Sequence, residues 1–290
     1  MQEQELYGLI KDMSNDDYHR GPGISKSHLD KIAKSPAHYW AAYIDPNREP
    51  SEPTAAMRMG TLIHTAVLEP DTLSARTIIA PEGIDRRTKD GKAAWAAFQI
   101  EAAGREIITA DENTLLTRIQ DRVLNHPIAG KLLSDGVAEQ SFFSKRVIQT
   151  MNYDTGQIIE REEILKCRPD WMTNNGVMVD LKSTDDASPD GFGRSVVNYR
   201  YYIQAPWYCD ILEEIYGEPP SAFVFIAVEK TWPHAVGVYF ATQDQIEIGR
   251  DHYQKDLRQI VTSKATNWWP DFSSTEAQPI KLPGWFRPAV

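Results

Sequence analysis

Cys167-Arg168-Pro169-Asp170, then the turn residues Asn174-Asn175-Gly176, then Val179-Asp180-Leu181-Lys182 form the stretch on which the reading of this chain turns. Alternate side chains of a strand share a face, so Asp180 and Lys182 project together while Val179 and Leu181 point the other way, into a core. The Asn-Gly turn predicts a hairpin. Asp170 then falls opposite or next to Asp180, and directly opposed positions sit about 4.5–5.5 Å apart. Two carboxylates at that spacing repel unless a cation lies between them, and hard oxygen ligands suit magnesium or manganese. Such a metal polarises a phosphoryl oxygen and supplies hydroxide near neutral pH. Lys182 could orient or deprotonate the attacking water, or neutralise the phosphate in the transition state. The residues alone equally allow a hairpin whose charges face water. On the catalytic reading Asp180 is taken as a surface residue, so Asp180→Ala is expected to abolish cleavage while hardly changing stability.

Working outward, the upstream chain reads as helical. Ser27 is expected to cap a helix carrying Leu29 and Ile32, and Ser35-Pro36 to open one carrying Tyr39, Trp40 and Tyr43. The polar, proline-rich run 45–53 reads as a surface loop. Met59 to Leu68 has helical spacing, as does the segment after Ala110-Asp111 with Leu115, Leu116, Ile119 and Val123. From Glu139 the pattern becomes extended: Ser141 to Phe143, Ile164 to Arg168 and Val177 to Leu181, with the Asn-Gly turn joining the last two. Tyr199 to Tyr216 returns to helix despite Pro206, which should kink it or leave a carbonyl unpaired. Phe223 to Glu229 and Val236 to Phe240 are strands, and Gln243 to Thr262 a closing helix. Helices followed by a mixed sheet flanked by helices is an α+β (α/β-like) plan. We expect a single domain over 1–290, with 1–20 as a lead-in and 270–290 as a tail.

Other residues could join the hairpin. His64 ends Gly60-Thr61-Leu62-Ile63-His64 on an otherwise apolar helix, where an imidazole can bind a metal or phosphate, or simply belong to the core. Glu139 could supply a third carboxylate or be an exposed strand-edge residue. Gln204 and Tyr208, four apart, share a helical face; that face could reach DNA or the attacking water, or pack at the sheet edge. Arg86, Arg87, Lys89 and Lys92 form the densest basic cluster, a DNA-binding patch or a solvated loop.

Bulk composition narrows the class. A hydrophobic share of 41% and a charged share of 25% are ordinary for a globular protein. No run reaches the roughly 18 apolar residues of a membrane helix, and Met1 to Glu5 lacks the order of a signal peptide. Two cysteines cannot build a disulfide framework or a four-thiolate cluster, so we expect a reducing cytoplasm and no iron–sulfur cluster. The net charge of −10 argues against a protein that coats nucleic acid nonspecifically, but leaves room for a local basic patch. There is no G-x-x-x-x-G-K-[ST] and no G-x-G-x-x-G, so ATP is not expected.

Taken in order, Gly60 to His64, Glu139, Pro169-Asp170, Asp180-Leu181-Lys182 and Gln204 to Tyr208 resemble the RecB-type branch of the PD-(D/E)xK nuclease superfamily. Gly23 to Ser27, Leu68-Glu69-Pro70, Ala80-Pro81-Glu82, Arg86-Arg87-Thr88 and Cys167 to Asp170 resemble its RecE-type (exonuclease VIII) nuclease domains, from about Gly21 to the Trp268-Trp269-Pro270 region. The resemblance implies a restriction-endonuclease-like mixed sheet. It also implies a processive 5′→3′ exonuclease on linear duplex DNA that leaves 3′ single-stranded tails for a RecT-like annealing protein in phage-type recombination, working as a ring-shaped homo-oligomer. Carried onto this chain, His64, Asp170, Asp180 and the Leu181 carbonyl would bind Mg2+, for which Mn2+ could substitute. Lys182 would serve the nucleophile or transition state, and Glu139, Gln204 and Tyr208 would support the site. Ser25 and Ser27 match an S-x-S-x-L entry motif, where they would touch phosphate or merely cap a helix. The long N-terminal extension of full-length RecE-type proteins has no counterpart, so the chain is read as a stand-alone nuclease or an excised domain. An endonuclease on the same core, or a catalytically silent DNA-end-binding subunit, are the competing readings.

Overall fold

The computed structural model describes residues 6–48, 52–152, 155–272, 276–277 and 279–283. Met1 to Glu5, the centre of the proline-rich loop at 49–51 and most of the expected tail lie outside the described residues. In chain order the first half supplies β1 (Gly8–Ile10), α1 (Asn15–Arg20), α2 (Lys26–Lys34), α3 (Pro36–Tyr43), α4 (Ala55–Leu68), α5 (Pro70–Arg76), β2 (Thr77–Ile79), α6 (Lys89–Ala102), β3 (Glu106–Ile108), α7 (Ala110–Leu124) and α8 (Ala129–Leu133). The second half supplies β4 (Gly136–Ala138), β5 (Ser141–Met151), β6 (Ile158–Cys167), β7 (Trp171–Thr173), β8 (Val177–Thr184), α9 (Pro189–Asn198), α10 (Tyr201–Tyr216), β9 (Ala222–Glu229), β10 (Val236–Phe240) and α11 (Gln243–Thr266).

The run Phe223 to Val228 is apolar at every position, as a strand covered on both faces must be, and all six residues are buried. It is an interior strand of a mixed sheet of order β10-β9-β8-β7-β4, in which only β8 and β9 run parallel. Met178, Phe223, Phe225 and Ala227 face one core with α10 and α11; Val179, Leu181, Ile226 and Val228 face another with α4, α7 and α8. The restriction-endonuclease-like α+β expectation is met. The inward aim of Val179 and Leu181 follows from the period of two.

One part of the hairpin reading is corrected. The Asn-Gly turn is present, with Gly176 at φ +81° and its N–H donating to the Thr173 carbonyl, but the arm preceding it is β7, not Ile164 to Arg168. β6 pairs with β5, and β1 lies on β5's other side. Pro169 cannot donate to a ladder, so the chain leaves one sheet after Cys167 and joins the other at Trp171. That transfer sets Asp170 at the mouth of β7.

The helices that carry site residues are fixed by identifiable contacts. Ile24 is bridged to β6, its N–H donating to the Ile164 carbonyl and its own carbonyl accepting from Lys166 N, each at 2.8 Å. The helix therefore begins directly afterwards, and Ser25, not Ser27, is the N-cap of α2. Ser35 caps α3 as expected. Arg58 ties α4 to the β3–α7 unit through Glu106 at 2.5 Å, Glu112 at 2.6 Å and the Ile107 carbonyl at 2.9 Å. Pro206 sits inside α10, where it removes the N–H that the Tyr202 carbonyl would accept from. Gly249 of α11 packs directly on this place: an added Cβ would lie 2.1 Å from Tyr202 O and 2.8 Å from Pro206 Cγ. No helix among the described residues is long and apolar enough to cross a membrane.

Candidate active site

β7 pairs with β8 only at Trp171↔Val179 and Met172↔Met178. From Asp180 onward, β8 has lost its β7 neighbour while keeping β9. A backbone N–H left without a ladder partner must be satisfied otherwise. Asp170 Oδ2 does this, accepting from Leu181 N at 2.7 Å. Asp170 thus stands one register step past the last pair, beside Asp180, as the turn predicted.

Asp180 is fully buried. Its Oδ1 accepts from Gln204 Nε2, and its Oδ2 lies 2.5 Å from Lys182 Nζ in an ion pair but lacks an aligned hydrogen bond among the described residues. Burial raises the Asp180 carboxyl above the ordinary carboxylate range, against the pull of Lys182. For Lys182 burial acts downward, but Asp180 and Asp170 outweigh it, and the ammonium is held more firmly than usual. Its Nζ also lies 4.8 Å from the centre of the Tyr201 ring. The expectation that Asp180 is a surface residue is overturned: α10 covers it through Gln204.

A second group adjoins this pair. His64 on α4, Glu139 and Asp170 place potential ligand atoms within 4.8 Å of one another. His64 Nδ1 lies 3.5 Å from Asp170 Oδ2. Glu139, between β4 and β5, adopts φ +53°, and its N–H donates to the Asp170 carbonyl at 3.2 Å. Its carboxyl is pushed up to about 8, first by burial and then by neighbouring Asp170, with Arg168 opposing. One imidazole and two closely spaced carboxyls suit a hard divalent cation, which would relieve their repulsion. Asp180 stands beside this group, with its oxygens turned to Gln204 and Lys182.

His64, Glu139, Asp170, Asp180, Lys182 and Gln204 line one cleft of about 560 Å³, together with Ser25, Ser27 and Tyr208, whereas Leu181 does not line it. Ser25 Oγ lies 2.9 Å from Ser27 Oγ and 2.8 Å from His28 Nδ1. Burial raises the Tyr208 hydroxyl well above its usual range, so it stays protonated. Arg86, Arg87, Lys89 and Lys92 are not among the lining residues. Arg86 lies 3.6 Å above the Trp95 ring and Arg87 pairs with Asp85.

The cations that do line the cleft include Lys26, Arg76 and Arg168, to none of which the sequence assigned a role. Arg168 and Lys166, two apart in the run read as extended, both lie over the Tyr18 ring, at 4.3 and 5.0 Å from its centre, a pairing that alternation offered. Arg168 Nη2 donates to the Met13 carbonyl at 2.9 Å, and the buried Lys166 donates to the Tyr18 and Gly21 carbonyls at 2.6 and 2.7 Å. Residues read as a lead-in are thereby pinned as a cleft wall that includes Asn15 and His19.

The family model described as "PDDEXK-like domain of unknown function (DUF3799)" matches residues 25–282. A comparison with curated proteins found no match. Among solved structures, one described as "Putative exonuclease" from Eubacterium rectale superposes with a TM-score of 0.60 at 14% identity, covering 93% of this chain and 95% of that one. An alkaline exonuclease from Laribacter hongkongensis gives a TM-score of 0.24 at 12% identity, covering 68% and 98%. At these identities the likeness concerns the fold, and only the first superposition is close enough to bear on it.

Proposed function

Because the chain belongs to the family of PDDEXK-like domains of unknown function (DUF3799), we propose that it is a divalent-metal-dependent deoxyribonuclease that degrades linear duplex DNA from its ends. The observation that carries this reading is the convergence of Asp170, Asp180, Lys182, Glu139 and His64 in one cleft. His64, Glu139 and Asp170 would hold the cation, with Asp180 and the Leu181 carbonyl adjoining. When bound, a magnesium or manganese ion supplies phosphoryl polarisation and hydroxide near neutral pH. Lys182, kept charged by Asp180, acts as an electrostatic clamp on the phosphate rather than as the base. Gln204 holds Asp180 in place by donating to one oxygen, leaving the other toward Lys182. Tyr208 offers a hydroxyl proton, and Ser25 and Ser27 offer hydroxyls, to the DNA backbone.

In the finer reading the enzyme resembles the RecE-type exonucleases: Mg2+-dependent, processive and 5′→3′, leaving 3′ single-stranded tails for a RecT-like annealing partner. A ring-shaped homo-oligomer around DNA would explain processivity, and would let a chain of net charge −10 concentrate a few cations on its inner wall. Its compartment would be the cytoplasm. The basic cluster Arg86, Arg87, Lys89 and Lys92, outside the cleft, would touch DNA farther from the cut. Digestion of duplex labelled at either the 5′ or the 3′ end, beside a covalently closed circle, tests the reading. Early release of the 5′ label with circles intact supports it. Cut circles would favour an endonuclease, and DNA binding without cleavage a silent end-binding subunit.

A further inference from the structure

The catalytic cleft does not end at Lys182. On that residue's far side lies a second cavity of about 470 Å³ that shares Lys182 and Tyr201 with the first. Two elements run through both. β8 contributes Asp180 and Lys182 to the cleft, then Lys182, Ser183 and Thr184 to the second cavity. On α4, Thr61 and His64 face the cleft and Met57 faces the second cavity. Met57, Thr61 and His64 stand at i, i+4 and i+7, so they share one face of α4. Seven residues of helix span about 10 Å, enough to carry a strand past Lys182 to the next nucleotide.

The chemistry of the second cavity differs from that of the first. Its cations are matched: Lys230 lies 2.8 Å from Asp185 and Arg194 lies 3.5 Å from Asp186. Lys182, beside Asp180, serves the phosphate of the adjoining cleft. The cavity therefore has little net attraction for phosphate. It does have an aromatic surface. Tyr199, 62% exposed, stacks on Tyr201 with ring centres 5.5 Å apart, and Met57, 63% exposed, lines the same cavity. The backbone beneath Tyr199 is fixed, since its carbonyl accepts from Lys26 Nζ at 2.8 Å. Ser183, Ser195 and Asn198 supply neutral hydrogen-bonding groups around it. A fixed, exposed aromatic ring beside apolar and neutral polar groups suits a nucleobase, because every base offers a π-face.

We propose that this cavity is a nucleobase subsite: the unpaired nucleotide next to the phosphate at Lys182 stacks its base on Tyr199, with Met57 lining the same cavity. The proposal rests on the nuclease reading and adds to it a site for the adjoining base. Its purpose is to hold the strand straight across Lys182 while the duplex behind it remains paired.

The test is anisotropy of a labelled single-stranded oligonucleotide with the full chain carrying Asp180→Asn, so that cleavage does not consume the probe. Tyr199→Ala in that background is expected to weaken binding about tenfold while leaving the salt slope unchanged, because every phosphate stays neutralised as before. Tyr199→Phe, which keeps the ring, should bind like its parent. Replacing the terminal nucleotides one at a time by abasic analogues should locate one position at which Tyr199→Ala and its parent become equal. Unchanged affinity in Tyr199→Ala, with a melting temperature equal to the parent's, overturns the subsite. A steeper or shallower salt slope would also overturn it, by showing that Tyr199 acts on phosphate instead. Wild-type protein is assayed in parallel on linear duplex with magnesium. If it cleaves while Tyr199→Ala binds normally, the subsite alone is wrong. If it neither cleaves nor binds DNA, the nuclease reading and the subsite fall together.

Discussion

Glu139→Gln in the metal-free protein gives a quantitative test of how the carboxylates are arranged. The Glu139 carboxyl is held at about 8 in the folded chain, against an ordinary value of 4.5. Between those values the folded protein holds a proton that the unfolded chain has released, so stability falls as pH rises. Below about 4.5 both states carry the proton and the penalty is absent; above about 8 both have released it and the penalty is complete. Each pH unit corresponds to about 1.4 kcal/mol, which sets an upper bound of about 5 kcal/mol. The side chain is one-third exposed, at 33%, and solvent screening reduces this to on the order of 2 kcal/mol. Glutamine keeps the shape without the charge. Its melting temperature in EDTA should match wild type near pH 4.5 and exceed it by about 3 °C near pH 8.5. Magnesium at the higher pH should raise the wild type and narrow that gap. Parallel melting curves for the two proteins across this range would refute the crowding of Glu139 against Asp170.

Other outcomes follow from the same geometry. Asp180→Ala should destabilise the fold by about 3–5 kcal/mol, because it strands Lys182 as a buried, unpaired ammonium; denaturant unfolding measures this, and a change below about 1 kcal/mol would contradict the ion pair. Gly249→Ala should cost about 1–3 kcal/mol by overpacking against Tyr202 O and Pro206, read from the midpoint of a urea transition; an unchanged midpoint would show that α11 does not approach α10 so closely. Reversing Lys26 or Arg76 in the cleft should weaken DNA binding and lower the salt slope by about one for each phosphate no longer neutralised. Reversing Arg86 and Lys89 together should have a smaller effect, and the opposite ranking would place the DNA path over α6.

The parts of this structure that were legible in the sequence are those set by local chemistry. The Asn-Gly turn and the alternation of Val179 to Lys182 specify the Asp170–Asp180 adjacency without any tertiary contact. The unbroken apolar run of β9 specifies an interior strand. What escaped was decided by packing. The burial of Asp180 depends on Gln204 arriving from α10. α9 contains Gly191 and Gly193, poor helix formers, and is held by its Ser188 cap and by Phe192 stacking on Tyr239 with ring centres 5.2 Å apart. The sheet exchange at Pro169 was hidden because β6 and β7 are nearly continuous in sequence, and only the missing N–H hints at it. Lys26 and Arg76 reach the cleft from α2 and α5, whose placement no local pattern encodes.

If the cleft around Asp170, Asp180 and Lys182 hydrolyses DNA with a divalent cation, its activity must depend on the Asp180 carboxylate. The most direct measurement is the rate of nucleotide release from linear duplex with magnesium, for wild type beside the isosteric Asp180→Asn. The prediction is release by wild type and a loss of at least about a thousandfold in the variant, equivalent to ~4 kcal/mol of barrier, with both proteins folded by circular dichroism. Equal rates, or an inert wild type with both magnesium and manganese, would contradict it.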